Sequence, residues 1–212
     1  MKDVAIYGAG GFGRELACLI NQQNKEKPTW NFIGYFDDNP ALKGVRNEYG
    51  KILGGKEVLN SWNKPLCVLM AIGLGSTVKK VVEGIHNSHV EFPNFFYQAT
   101  FSDEDNVKFG KGNLIIGTHF SCAVSLGNFN RMNGSVVFGH DAVIGNYNTF
   151  MSGVRVSGGV KVGDECFFGV GSIVLQQLKI GDHVKLGAGG VMMTKPKDGG
   201  TYIGNPAKLF KY

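Results

Sequence analysis

The sequence predicts two parts: an α/β unit about half the size of a dinucleotide-binding fold, then an all-β parallel β-helix. Two patterns carry that expectation. From Leu114 onward every sixth residue is apolar, through Phe120, Leu126, Met132, Phe138, Ile144, Phe150, Val156, Val162, Phe168, Val174, Ile180 and Leu186 to Met192. In a chain that is 43% hydrophobic, such a series arises by chance roughly once in 10⁵ independent draws. Ahead of the array, an apolar run, a glycine-rich turn and a helical pattern follow one another directly. The boundary falls after Pro93, giving a half-Rossmann-like domain over 1–93 and a β-helix with a C-terminal extension over 94–212.

In the first domain, Val4-Ala5-Ile6-Tyr7 reads as a strand, Gly8-Ala9-Gly10-Gly11-Phe12-Gly13 as a turn and Arg14 to Gln22 as a helix. The spacing of Gly8, Gly10 and Gly13 is that of a phosphate-binding turn, where bare backbone and a helix N-terminus meet an anion. A second strand, Phe32 to Phe36, ends in Asp37-Asp38, near where a dinucleotide site places its ribose-binding carboxylate. A third, Leu66 to Ile72, precedes another helix from Thr77 to Ile85. An NAD oxidoreductase does not fit, because the β-helix leaves no room for a second nucleotide half. A mononucleotide or a nucleotide-sugar diphosphate fits better, and the alternative is that the glycines only make a tight turn.

The segment 92–113 joins the two parts. Phe95, Phe96, Tyr97 and Phe101 are expected to seal the open end of the helix, and Asp103-Glu104-Asp105 to form a solvated loop. Phe109 and Ile115 lie one residue off the later register, so an irregular first coil is expected. Beyond it, a period of six suits neither an α-helix nor an ordinary strand. It suits a chain that turns a corner every six residues, three hexads making a triangular coil of eighteen that stacks on the next. The residue four after the apolar one is usually small or β-branched, which suits a corner. The glycines that often follow the apolar residue, such as Gly127, Gly139 and Gly145, are expected to supply corner freedom. Asn130 and Asn148, eighteen apart, are expected to form a stacked amide ladder.

Composition narrows the function. No apolar run is long enough to span a membrane, and Met1-Lys2-Asp3-Val4 enters a strand at once, so no signal peptide and no membrane insertion are expected. Cys18, Cys67, Cys122 and Cys166 lack metal-ligand spacing, so no metal is expected and the thiols read as reduced and cytoplasmic. The net charge is +5, concentrated at the end: residues 179–212 hold six lysines against two aspartates. Without interleaved aromatics this does not suggest nucleic acid; a phosphorylated cofactor is the better functional reading, beside that of a solvated tail. Eighteen-residue stacking aligns Cys122, His140, Gly158 and Gln176 in one column. His140 follows the inward Phe138 by two and should point outward as a general base, with Asp141 beside it. Gly158, within Ser157-Gly158-Gly159, is the candidate oxyanion donor. Cys122 is a conceivable nucleophile, though a packed or surface thiol is the simpler reading. His86, His89, His119 and His183 carry no comparable context.

Three stretches carry a resemblance: the glycine turn with Asp37-Asp38, the array containing Phe138-Gly139-His140-Asp141, and the ending Tyr202-Ile203-Gly204-Asn205-Pro206-Ala207-Lys208. The chain resembles the sugar O- and N-acyltransferases of the left-handed β-helix superfamily, in particular the bacillosamine-type nucleotide-sugar N-acetyltransferases and the sialic acid O-acetyltransferases. The resemblance implies a cytoplasmic homotrimer in surface-glycan biosynthesis, with sites between subunits and direct transfer from acetyl-CoA to a nucleotide-linked amino sugar. It implies His140 as the base, Asp141 as its partner and Asn133 in the same pocket. It places the nucleotide sugar at Gly8, Gly10, Gly11, Gly13, Asp37 and Asp38. Acetyl-CoA lies along the helix groove, where Gly158, Gly159, Lys195 and Lys208 are the candidate contacts. Phe12 and Thr149 stand where the bacillosamine-type enzymes carry histidines. Acetylation of a sugar hydroxyl and a non-catalytic β-helix binding protein are the alternatives.

Overall fold

The computed structural model describes residues 1–211. The chain divides into two compact units, Met1–Gly73 with Thr77–Pro93, and Leu74–Ser76 with the chain from Asn94 on.

In the first unit, β1 (Lys2–Tyr7), β2 (Trp30–Phe36), β3 (Ile52–Gly54), β4 (Leu66–Met70) and β5 (Val90–Glu91) form one parallel sheet in the order β3-β2-β1-β4-β5. All five residues of β4 are buried, as a strand covered on both faces requires. Helix α1 (Gly11–Glu26) buries Gly13, Leu16, Ala17 and Ile20, a single stripe at helical spacing. Strand order reverses between β1 and β4, so their carboxyl ends open onto a topological switch point.

The second unit is a left-handed parallel β-helix. Its eight-, six- and five-stranded sheets are the three faces of a prism. Most strands are only two residues long, and all but the last pair in parallel from coil to coil, as Phe120 with Phe138 and Phe138 with Val156. The six-residue array from Phe120 to Met192 lies inside, nearly every member at most 3% exposed. Rings stack from coil to coil at the spacing of paired strands: Phe101 on Phe120 at 5.5 Å, Phe120 on Phe138 at 5.3 Å, Phe150 on Phe168 at 4.8 Å.

Two expectations are corrected. Leu114 is not the inward residue of its rung: Met132 pairs with Ile115, and Arg131 with Leu114. The phase therefore slips by one between Ile115 and Phe120, and the irregular first coil runs through Phe96, Phe101 and Phe109. The aromatics close that end only partly, leaving a hollow of about 520 Å³ lined by Phe96, Phe101 and Phe109 with Gln98 and Glu104 at its polar edge. The second correction concerns the corner. The glycines after the inward residue do not supply left-handed backbone. Left-handed φ falls two residues later, at Ala123, Phe129, Ser135, Asp141, Tyr147, Glu165, Gln177 and His183, all near 55–60°. The glycines are required for a different reason: a methyl on Gly139 would meet Ser157 C at 2.8 Å, and one on Gly127 would meet Gly145 C at 2.8 Å. They let the next coil approach.

The amide ladder is longer than its two predicted members. Asn130 Oδ1 accepts the Asn148 N–H at 2.9 Å, Asn113 Oδ1 accepts the Asn130 N–H at 2.8 Å, and Asn94 Oδ1 accepts the Asn113 N–H at 2.9 Å. Asn148 Oδ1 accepts the Cys166 N–H at 2.8 Å, and its Nδ2 donates to Gly163 O at 2.9 Å. Cys166 ends the run: burial pushes its thiol up to about 12, so it stays protonated and donates to Gly181 O at 3.1 Å. Asn148→Ala should therefore leave a buried N–H and a buried carbonyl without partners. We expect a loss of about 2–4 kcal/mol, read as a lower urea midpoint at fixed protein concentration.

Candidate active site

His140 and Asp141 occupy the corner after the six-stranded face. The left-handed φ of 58° at Asp141 turns its side chain back beside the preceding residue. The His140 Nδ1 to Asp141 Oδ2 distance is 2.8 Å, and both side chains are exposed, at 64% and 68%. A carboxylate can only accept, so Nδ1 carries the proton and Nε2 presents its lone pair. The Asp141 N–H donates to Cys122 O at 3.1 Å, anchoring the pair to the coil before. On the other side, the imidazole lies against Gly158: a methyl there would overlap the ring, with Cε1 at 2.7 Å and Cδ2 at 2.9 Å.

The equivalent column one corner on, where each side chain accepts the N–H of the coil before it, shows what the column of His140 lacks. There Asn146 Oδ1 accepts the Asn128 N–H at 2.9 Å, Asp164 Oδ1 the Asn146 N–H at 2.7 Å, and Asp182 Oδ1 the Asp164 N–H at 2.8 Å. The Gly158 N–H, at the same point of its coil, finds no acceptor among the described residues. The His140 ring rests against the same glycine, and an N–H left unclaimed beside it is available as an oxyanion donor. The Gly159 N–H is committed to His140 O at 2.8 Å and holds the coils together. Asn133 lies on another face, ending the strand Arg131–Asn133, with its carbonyl accepting the Ser152 hydroxyl; the fold does not bring it to His140 within one chain. Lys195 and Lys208 are exposed, Lys208 on a strand that turns back antiparallel against Thr201–Ile203. Thr149 is buried, paired with Arg131 in the neighbouring rung.

Two relations escaped sequence reading. His119 is held by two hydroxyls, Thr100 Oγ1 at 2.9 Å from Nδ1 and Ser102 Oγ at 3.3 Å from Nε2, so both ring nitrogens are engaged. His183 has an acid after all: Glu165, eighteen residues earlier, puts Oε2 3.7 Å from its Nδ1.

In the first unit the four glycines divide into two pairs. Gly8 has φ of 107° and a methyl on it would meet Ala71 O at 2.6 Å; one on Gly13 would run into Gly8 O, with Gly8 C at 3.0 Å. Those two make the turn. A methyl on Gly10 or Gly11 would meet nothing within 4 Å, so the fold does not require glycine there, and that space is open to a ligand. Asp37 and Asp38 are fixed by the fold itself. Asp37 accepts the Ala9 N–H at 2.9 Å and the Asn39 N–H at 3.0 Å. Asp38 Oδ1 accepts the Tyr7 hydroxyl at 2.6 Å and the Lys56 N–H at 2.9 Å. Burial, and then the Asp38 carboxylate, raise the Tyr7 phenol well above its ordinary pKa, so it remains a donor. The two acids border a crevice of about 190 Å³ with Tyr7, Gly8, Ile72 and Thr77, at the switch point. Among the described residues, no group of three or more His, Cys, Asp or Glu is placed to hold a metal ion, and no helix is long and apolar enough to cross a membrane.

Comparison with known proteins agrees with this geometry. Residues 3–85 match the family model of the PglD N-terminal domain. The acetyltransferase domain of PglB from Neisseria gonorrhoeae FA1090, solved with acetyl coenzyme A, superposes with a TM-score of 0.87 at 25% identity over 99% of both chains. The chain is similar to the left-handed β-helix sugar acyltransferases along its whole length. WeeI from Acinetobacter baumannii AYE gives 0.87 at 26% identity over 99% of this chain and 100% of that one. PerB from Caulobacter crescentus, solved with CoA and GDP-perosamine, gives 0.85 at 24% identity over 100% and 98%, which shows the shared fold. No curated protein sequence matches the chain.

The division of the glycines sets different outcomes for the same substitution. Gly10→Ala and Gly11→Ala should change stability by no more than about 1 kcal/mol. Gly13→Ala, which forces a methyl into the Gly8 carbonyl, should cost about 1–3 kcal/mol or more. Melting curves of the three variants, run side by side, check the ranking.

Proposed function

We propose that the protein transfers an acetyl group from acetyl-CoA to the amino group of a nucleotide-linked amino sugar in surface-glycan biosynthesis. The observation that carries this is the corner itself: an imidazole oriented by a carboxylate, lying over a glycine whose N–H is unclaimed. The similarity to the PglB acetyltransferase domain, solved with acetyl coenzyme A, supports the donor. The match of residues 3–85 to the PglD N-terminal domain, together with the open space over Gly10 and Gly11, supports a nucleotide sugar in the first unit.

The chemistry follows from the residues. The sugar amine attacks the thioester carbon while His140 Nε2 takes its proton. Asp141 keeps Nδ1 protonated and favours the imidazolium that forms. The carbonyl oxygen gains charge in the tetrahedral intermediate, and the Gly158 N–H donates to it. The carbon–sulfur bond then breaks and the CoA thiolate leaves with a proton. No covalent enzyme intermediate is required. Lys195 and Lys208 are proposed to meet the phosphates of CoA, and Asn133 to meet substrate as part of a neighbouring subunit.

A trimer accounts for the exposed surface. The outer side of the six-stranded face carries Val137, Ile173 and Val191, with Arg155 and His119 among them and Leu175 and Met193 just past its strands, whereas the five-stranded face carries Lys108, Lys161 and Lys179 with Val143. Covering the apolar face with a second copy brings another chain to the edge where His140 sits. Light scattering should give about three times the 22.9 kDa chain mass; a monomer at micromolar concentration would rule out a site shared between subunits.

His140→Ala should reduce turnover by at least about 10²-fold with an unchanged melting temperature, because the side chain is outside the core. Asp141→Asn should fall between it and the parent. Free CoA released from acetyl-CoA in the presence of amino-sugar nucleotides is the readout. Activity largely retained in His140→Ala would move the base elsewhere.

A further inference from the structure

The crevice at the switch point is not the whole cavity around the two aspartates. Beside them lies a larger recess of about 340 Å³, bordered by Asp37, Asp38 and Asn39 and lined by Pro40, Lys43, Gly55, Glu57 and Val58. We propose that this recess reads a guanine base, so that the nucleotide carried by the substrate is a guanosine diphosphate rather than a uridine or thymidine diphosphate. This rests on the nucleotide-sugar reading above.

The position follows from the sites on either side. A diphosphate over Gly10 and Gly11 puts the ribose at the aspartate pair, at the end of β2. The base then continues past Asp38, and the recess between Pro40 and Glu57 is the space available in that direction. Pro40 and Val58 add apolar surface to its lining.

The choice of base follows from which polar groups remain uncommitted. Both Asp37 oxygens hold backbone N–H groups, and Asp38 Oδ1 holds the Tyr7 hydroxyl and the Lys56 N–H. Glu57 accepts no hydrogen bond from the chain among the described residues. Its Oε2 lies over Gly55, where a methyl would meet it at 3.1 Å and Asp38 Oδ1 at 3.0 Å. The recess therefore presents the Glu57 carboxylate, with both oxygens unengaged, beside Asp38 Oδ2 as acceptors, and Lys43 with the Asn39 amide as donors. Guanine offers two adjacent donors, N1–H and N2–H, beside one acceptor, O6. A carboxylate can take both donors and an ammonium can reach the acceptor. Uracil and thymine place their single N–H between two carbonyl oxygens, which a carboxylate facing it would repel. Adenine offers the carboxylate only its N6 donor.

Calorimetric titration of the full-length protein with GDP, UDP, dTDP and ADP tests this. We expect GDP to bind at least about tenfold tighter than the other three. Glu57→Gln should bring GDP to the level of UDP while leaving UDP, dTDP and ADP unchanged, and that constancy shows that the variant is folded. Lys43→Ala should weaken GDP selectively as well. Binding of UDP or dTDP as tight as that of GDP overturns the base assignment and leaves the nucleotide site standing. So does a Glu57→Gln variant that weakens all four alike or none. Binding of none of the four overturns the base assignment and the nucleotide-sugar reading together.

Discussion

Everything in the second unit depends on one constraint: each coil must lie one strand spacing, about 4.8 Å, from the next along all three faces. Main-chain bonds at every rung enforce it, and the rest of the sequence pattern follows. Inward side chains must fill a prism of constant cross-section, so rings stack on rings. The residue after each inward one must leave room for the following coil, so it is often glycine. The corner must turn within four residues, so one of them adopts the left-handed conformation whatever its identity. Phe129, Tyr147 and Gln177 do so without being glycine, which means that coil stacking outweighs the local cost of that backbone.

The same constraint builds the site. A residue two past the inward position points outward at a corner, and its N–H is not used by the coil ladder. On one corner, asparagine and aspartate side chains consume those N–H groups. On the other, neither Gly158 nor Gln176 supplies such an acceptor among the described residues, so the N–H groups of His140 and Gly158 stay unclaimed, and the His140 ring lies against Gly158. Asp141 takes the left-handed position, which carries its carboxylate back to the imidazole. Catalytic geometry thus arises from positions that every coil possesses, and residue identity alone makes this coil different.

How far this was legible in the sequence follows from the same physics. Strict periodicity made the array from Phe120 onward, the inward Phe138 and the outward His140 readable, since each depends only on counting. The slip at Ile115 was half visible: Leu114 and Ile115 are both apolar, so composition does not choose between them, and pairing with Met132 does. The amide ladder was readable where the step is eighteen and was missed at Asn113, where it is seventeen. The glycine turn was readable as a motif, but the motif does not separate Gly8 and Gly13, which the backbone requires, from Gly10 and Gly11, which it does not. Glu165 lies one eighteen-residue step before His183 and was within reach of the same counting, whereas the commitment of Asp37 and Asp38 to the fold leaves no mark in a linear pattern.

The open N–H of Gly158 has a further consequence. Because every coil offers the same outward corner at eighteen-residue intervals, the prism works as a ruled scale on which a reactive residue can be entered at any mark. Moving a histidine by one coil changes its distance to whatever is held at either end by a single strand spacing, with no change in the scaffold. Substrate length can therefore be matched in discrete steps by a change in sequence alone, and a catalyst built this way is tuned by address rather than by shape.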